Sequence, residues 1–261
     1  MDQLRFLESC DLVLRGEREQ NGIGTLGEKT LHAVLKAYFE PLAVRREVPV
    51  GRYVADIVGE DGIIEIQTGS FTPLRPKLTA FLEAARVTVV YPVARRKWLS
   101  VIDPATGEEV SRRRSPKAGR VLDVLPELYR IEPFLTHPNF HLCVLLMDWI
   151  EIRLPVPKSR RNRRGYARQD RIPLSLEGEA WFRRPEDYLQ LLPDPEGLPD
   201  PFTSRDAAEA AGLRPGDASG LMGLLYRLGL ARRVGKSGNA YLYALTVPAA
   251  GEVPSPLSDF V

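Results

Sequence analysis

The chain has little of what usually announces a function. It has only two cysteines, Cys10 and Cys143, far apart and outside any motif. That leaves no disulfide framework and fits a reducing cytoplasm. Its three histidines are His32, His137 and His141. "HPNFHLC" (His137 to Cys143) hints at zinc, but a fourth ligand is missing and His141 and Cys143 sit in an apolar, strand-like run. The longest apolar runs, such as "LCVLLMDWI", are too short to span a bilayer. The start, "MDQLRFLESCDLVLRGE", is charged throughout and has no signal-peptide core. These absences predict a cytoplasmic protein without a membrane partner. Net charge is only +2, so bulk charge names no partner. "GIGTLGE" does not follow a strand, which excludes a Rossmann-type phosphate loop. No internal repeat is present.

What the chain does have is enough apolar content, 44% over 261 residues, for one large domain or two smaller ones. Its bases are concentrated in "SRRRSPKAGR" (Ser111 to Arg120) and "KSRRNRRGYARQDR" (Lys158 to Arg171). Such runs are either solvated loops or a phosphate-contacting surface.

Residues 1–20 predict a helix packing Leu4, Leu7 and Leu14. From Thr25 to Phe39, Leu31, Val34, Leu35 and Tyr38 recur at helical spacing. "AVRREVPVG" and "RYVADIVGEDGIIEIQTG" read as three strands. "PLRPKLTAFLEAAR" reads as a helix with Leu74, Leu78, Phe81 and Leu82 on one face, and "VTVVYPVA" as a buried strand. This order predicts an α/β domain with a mixed sheet flanked by helices. Further on, "VLDVLPELYRIEPFL" reads as a helix and "FHLCVLLMDWIEIRL" as a strand. A Pro-rich linker, 193–201, precedes helix, turn, helix and hairpin over 202–247, the pattern of a winged helix. Thr203 or Ser204 is the expected cap of its first helix. The expected divisions are 1–103, a basic middle region 104–192 that would complete the first domain, the linker, the winged helix, and a tail 248–261.

The first hairpin carries the chemistry. "VADIVGEDGIIEI" turns at Gly59 to Gly62. Centred on Glu60-Asp61, the turn puts Val58 opposite Ile63, Ile57 opposite Ile64 and Asp56 opposite Glu65. Facing side chains lie roughly 5 Å apart at Cβ. Two carboxylates there must lose a charge or share a cation, and a hard divalent ion with oxygen ligands serves. Gln67 projects from the same face as Glu65. A loop of three or five residues would instead place the acids on opposite faces, and Arg45, Arg46 or Arg52 would also serve as partners. Glu28 completes a "TLGE" capping box with Thr25, or reaches toward the acids from the helix start. Lys77 borders the apolar face of the next helix and is either solvated or turned toward the strand end. His32 is an i+4 neighbour of Glu28 and reads as a helix-surface or partly buried partner.

Helix-borne Glu28, Asp56 on one strand, Glu65-x-Gln67 on the next, then helix and strand resemble the core of the PD-(D/E)xK nuclease-like (restriction-endonuclease-like) superfamily over about residues 24–93. The whole chain is similar to bacterial proteins that join this domain to a C-terminal winged helix. The resemblance implies a metal-dependent endonuclease that cuts DNA, with Mg²⁺ or Mn²⁺ held by Asp56 and Glu65. Glu28, Gln67 and Lys77 would complete the catalytic set. Gln67 stands where the family usually has lysine, and Lys77 is the candidate replacement from the following helix. Without a lysine at the site, the same fold would be an inactive DNA-binding relative; a protein-interaction adaptor is the third reading. DNA contact is expected through Arg112, Arg113, Arg114, Arg160, Arg161, Arg163 and Arg164, and in the winged helix through Arg227, Arg232, Arg233 and Lys236. RNA remains an alternative substrate, and cutting two strands would favour a homodimer.

Overall fold

The computed structural model describes residues 1–21, 29–160, 162–192 and 197–246. The chain forms two compact units, Met1–Arg183 and Arg184–Val261.

The first unit is a seven-stranded mixed sheet with helices packed on it. Its elements are α1 (Gln3–Asn21), α2 (Thr30–Phe39), β1 (Arg46–Val50), β2 (Tyr53–Gly59), β3 (Gly62–Ile66), α3 (Arg75–Leu82), β4 (Val87–Ile102), β5 (Glu109–Arg114), the short α4 (Leu125–Leu128), β6 (Phe140–Pro155) and β7 (Tyr166–Phe182). The strand order is β1-β2-β3-β4-β6-β7. β1, β2 and β3 form an antiparallel meander, β3, β4 and β6 run parallel, and β7 returns antiparallel to β6. β5 pairs with the far half of β4. The middle of the chain therefore supplies three strands to the sheet that the first hundred residues begin.

The helix faces follow the apolar spacing at α2, where Leu31, Val34, Leu35 and Tyr38 are all buried. α1 turns differently from the expected face. Phe6 and Cys10 enter the core with Val13 packed beside them, whereas Leu4 and Leu7 are exposed. An aromatic ring and a thiol one turn apart fill the space above α2, and Phe6 meets Tyr38 edge-on at 6.0 Å. Burial raises the Cys10 thiol to about 11 and pushes Cys143 up as well, so both behave as inert core residues. The expected helix over "VLDVLPELYRIEPFL" is instead a chain of short 3₁₀ turns around α4. Pro126 and Pro133 cannot donate the hydrogen bonds a continuous helix needs.

β5 and β7 did not stand out in the sequence because charge hid them. β5, "EVSRRR", is exposed along its whole length, and β7 carries Pro173 within it. Both are consistent with strands at a sheet margin, where charge and proline block further pairing.

The second unit contains β8 (Phe202–Thr203), α5 (Ser204–Ala211), α6 (Pro215–Arg227), β9 (Ala231–Ser237) and β10 (Ala240–Leu245), with an antiparallel sheet in the order β8-β10-β9. Thr203 caps α5: its hydroxyl accepts from the Arg205 and Asp206 N–H groups, and Asp206 reaches back to the Thr203 N–H. Leu221, Leu224 and Leu225 of α6 are buried. No helix among the described residues is long and apolar enough to cross a membrane.

Candidate active site

The hairpin register places the acids. Ile57 pairs with Ile64, Val58 with Ile63 and Gly59 with Gly62, so the turn is the two residues Glu60 and Asp61. Gly62 makes this turn with φ +111°, and a Cβ there would lie 2.3 Å from the Arg86 carbonyl oxygen. Beyond Ile57 and Ile64 the side chains take over from the main-chain ladder. Asp56 Oδ2 accepts from the Ile66 N–H at 2.8 Å, and Glu65 Oε1 accepts from the Asp56 N–H at 3.3 Å. Each carboxylate thus bonds the other strand's backbone.

Ile64 and Ile66 join the core that α1 and α2 cover. Glu65, between them, projects to the other face. There it is fully buried and meets Lys77 of α3, whose Nζ lies 3.1 Å from Oε1 and 2.9 Å from Oε2. Lys77 reaches it because α3 follows β3 directly and packs Leu74, Leu78 and Phe81 inward beside it. The site lies at the carboxyl ends of parallel strands, where open α/β sheets form their crevices.

α2 supplies the opposite wall. Its first residue is Thr30, with extended Lys29 before it and no side-chain cap on Lys29. Thr25 and Glu28, the residues of the expected capping box, lie outside the described residues. Asp170 of β7 holds the start of α2: Oδ1 accepts the Thr30 N–H at 3.2 Å and Oδ2 accepts its hydroxyl proton. A buried carboxylate at a helix N-terminus is favoured by the helix dipole. This fixes α2 so that His32 Nε2 stands 3.2 Å from Asp56 Oδ2.

The resulting cleft of about 340 Å³ is lined by Lys29, His32, Asp56, Glu65, Ile66, Gln67, Thr68, Gly69 and Lys77. Its two acids are pushed apart. Burial alone would raise the Asp56 carboxyl, but the hydrogen bond and charge of His32, the Ile66 N–H and the Lys77 charge hold it below its ordinary value. Burial, then the Asp56 charge, raise Glu65 despite Lys77. Asp56 is thus the more readily ionised member, and Glu65 the one that holds a proton more tightly, with Lys77 opposing that shift.

Asp56 Oδ1 takes part in no hydrogen bond among the described residues, where Oδ2 takes two. The Gln67 N–H is committed to the Val90 carbonyl, which leaves its side-chain amide at the cleft. Among the described residues no three His, Cys, Asp or Glu side chains converge as a ready metal cage. The donor set of two carboxylates suits an ion that keeps much of its shell for water and phosphate, as Mg²⁺ does.

Four of the sequence-predicted residues, Asp56, Glu65, Gln67 and Lys77, share this cleft. Glu28 and Arg161 lie outside the described residues. Arg112, Arg113 and Arg114 are exposed on β5, and Arg160, Arg163 and Arg164 are exposed between β6 and β7, none lining the cleft. Arg227 ends α6, while Arg232, Arg233 and Lys236 lie on exposed β9. Sequence reasoning missed Lys29, Thr68 and the contact of His32 with Asp56; Glu28, the neighbour it gave His32, lies outside the described residues. His32 was legible as a polar residue beside an apolar helical stripe, but its partner across the sheet was not.

Over residues 29–183 the chain matches a family described as "Domain of unknown function (DUF8091)". A protein of Treponema pallidum (strain Nichols), described as uncharacterized, is 31% identical over 239 residues, covering 91% of this chain and 93% of its own. No solved structure matches the chain. The matched segment holds α2, every strand of the large sheet and every described residue of the cleft, and the chain belongs to the DUF8091 family.

Proposed function

We propose that the first unit is a metal-dependent endonuclease of the restriction-endonuclease-like kind that hydrolyses phosphodiester bonds of DNA. We read the second unit as a winged helix that aids DNA binding. The observation that carries this is the polar cleft in which Asp56, Glu65, Gln67 and Lys77 meet at the carboxyl ends of parallel strands.

Asp56 Oδ1 and a Glu65 oxygen would hold Mg²⁺ or Mn²⁺. When bound, the ion would polarise the scissile phosphate and lower the pKa of a water. Asp56 suits this role because its partners keep it ionised. Lys77 would turn from Glu65 toward the phosphate and offset negative charge developing at phosphorus. Gln67 would orient the attacking water through its side-chain amide. His32 would hold Asp56 in place through the Oδ2 contact. The basic residues on β5 and in the β6–β7 turn would engage the strand backbone, and Arg233, stacked 3.9 Å over Tyr241 and 4.4 Å over Tyr226, would do so from β9.

The Lys77–Glu65 ion pair favours a second reading, an inactive DNA-binding relative. The lysine already supplies the positive charge that Glu65 requires. Incubation of the protein with plasmid and branched DNA, with Mg²⁺ or Mn²⁺, separates the two. Cutting that Asp56→Asn and Glu65→Gln each abolish supports the nuclease. Salt-sensitive binding without cutting supports the inactive relative.

A further inference from the structure

A second cleft of about 310 Å³ adjoins the first through Thr68, which lines both. Its walls come from β4 (Tyr91 to Lys97), from the segment Lys117 to Asp123, and from Trp149 and Arg171 on β6 and β7. The Lys117 segment is held tightly: the Gly119 N–H bonds the Ala94 carbonyl at 2.8 Å, and a Cβ on Gly119 would lie 2.3 Å from that oxygen.

Among the described residues three cations line this cleft, and two are already paired. Lys97 Nζ lies 3.1 Å from Glu151 Oε2, and Lys117 Nζ lies 3.0 Å from Asp123 Oδ2. Arg171 is different. Its Nη1 donates to the Thr68 carbonyl at 2.9 Å, and its guanidinium lies 5.2 Å over the Trp149 ring. Its Nε is buried without a hydrogen-bond partner, and no carboxylate among the described residues forms an ion pair with it. Burial, then the charge of Arg168, push it down to about 10, so it is still a cation at neutral pH. A carbonyl and a ring face do not neutralise this half-buried guanidinium. The Glu151 and Asp170 carboxylates favour its charge only from beyond ion-pair distance, and Glu151 is already engaged by Lys97 and Arg153. Arg171 therefore has no direct counterion among the described residues. Nε is enclosed, so a phosphate would be met end-on, by the Nη1 and Nη2 hydrogens that the Thr68 carbonyl does not use, a fork that matches two phosphate oxygens.

We propose that this cleft is a phosphate subsite in which Arg171, flanked by Lys97 and Lys117, takes a backbone phosphate of the nucleic-acid strand entering the acid cleft. The proposal rests on the nuclease reading for the identity of the strand. The bond from Arg171 to the Thr68 carbonyl couples the two clefts, so a phosphate seated on the guanidinium would fix the strand's register against Asp56 and Glu65. Arg171 is thereby a positioning residue.

The test uses the full chain and two probes. Anisotropy of a fluorescein-labelled single-stranded DNA oligonucleotide is followed in EDTA for wild type, Arg171→Lys and Arg171→Met. The expected result is about tenfold weaker binding for R171M and a salt slope reduced by about one, with R171K in between. In parallel, inorganic phosphate is titrated while thermal unfolding is followed. It should raise the wild-type midpoint and leave that of R171M unmoved. If R171M merely unfolds earlier while its phosphate-induced shift and oligonucleotide binding match wild type, Arg171 is only a structural tie to Thr68 and the proposal is overturned. Arg171-dependent binding in a protein that cuts no DNA would keep the subsite and sink the nuclease reading. Cutting with a KM unchanged in R171M would do the reverse.

Discussion

Lys77 Nζ sits 2.9 Å from Glu65 Oε2, and the glutamate it touches is fully buried while the lysine is about one quarter exposed. The pair joins the first turn of α3 to the end of β3. It forms the chemical centre of the cleft and also holds one of its walls.

Removing one member exposes what the other needs. Lys77→Met leaves Glu65 buried without its cation, and we expect about 2 kcal/mol of lost stability in urea unfolding, less than the roughly 3–5 kcal/mol of a fully buried pair because the lysine is partly solvated. Adding Glu65→Gln to Lys77→Met should recover part of that loss, since no charge is then stranded. Additive effects of the two substitutions would show that the ion pair contributes no coupling.

Under the nuclease proposal, binding of a divalent ion should depend on the two acids unequally. Isothermal titration with Mn²⁺ is expected to show at least a tenfold loss of affinity in Asp56→Asn and a smaller loss in Glu65→Gln, because Asp56 is the acid held ionised. Equal Mn²⁺ affinity in Asp56→Asn and wild type would remove Asp56 from the ligand set.

Gly62 is predicted to tolerate no side chain. Gly62→Ala would combine a strained φ of +111° with a Cβ 2.3 Å from the Arg86 carbonyl oxygen. We expect more than about 1 kcal/mol of destabilisation and a disturbed Asp56–Glu65 register. Because Gly59 closes the same turn without a positive φ, Gly59→Ala should cost less. Equal midpoints for the two variants would contradict this.

Glu151 gives a pH dependence of known sign. Burial would raise its carboxyl, but Arg153 at 2.7 Å and Lys97 at 3.1 Å hold it below the ordinary glutamate value. The unfolded chain then binds this proton more readily. The stability Glu151 contributes is present in full above its unfolded pKa, near 4.3, and is lost as pH falls through the depressed folded value. Glu151→Gln should lower the neutral-pH stability by about 2 kcal/mol and flatten the acid limb of the unfolding midpoint against pH. An acid limb of unchanged slope would show that other carboxylates control it.

The local sequence determined α2, α3 and the existence of the hairpin, while the two-residue turn that sets the hairpin's register was one of several loop lengths it allowed. Apolar spacing is enough for α2 and α3, and a two-residue turn between Gly59 and Gly62 is enough to bring Asp56 opposite Glu65. These are short-range matters, settled by periodicity and turn chemistry within a dozen residues. Only the tertiary structure decided which basic side chains meet the acids. His32 reaches Asp56 because Asp170 of β7 anchors the start of α2 from 140 residues away. Lys77 reaches Glu65 because α3 packs back over its own strand. Arg171 was one base in a run of many, and nothing in that run distinguished it. It became distinct only when β7 paired with β6 and placed it over Trp149 beside the Thr68 carbonyl. Side-chain electrostatics depends on distances of a few ångströms between residues far apart in the chain, and the packed sheet is what sets those distances.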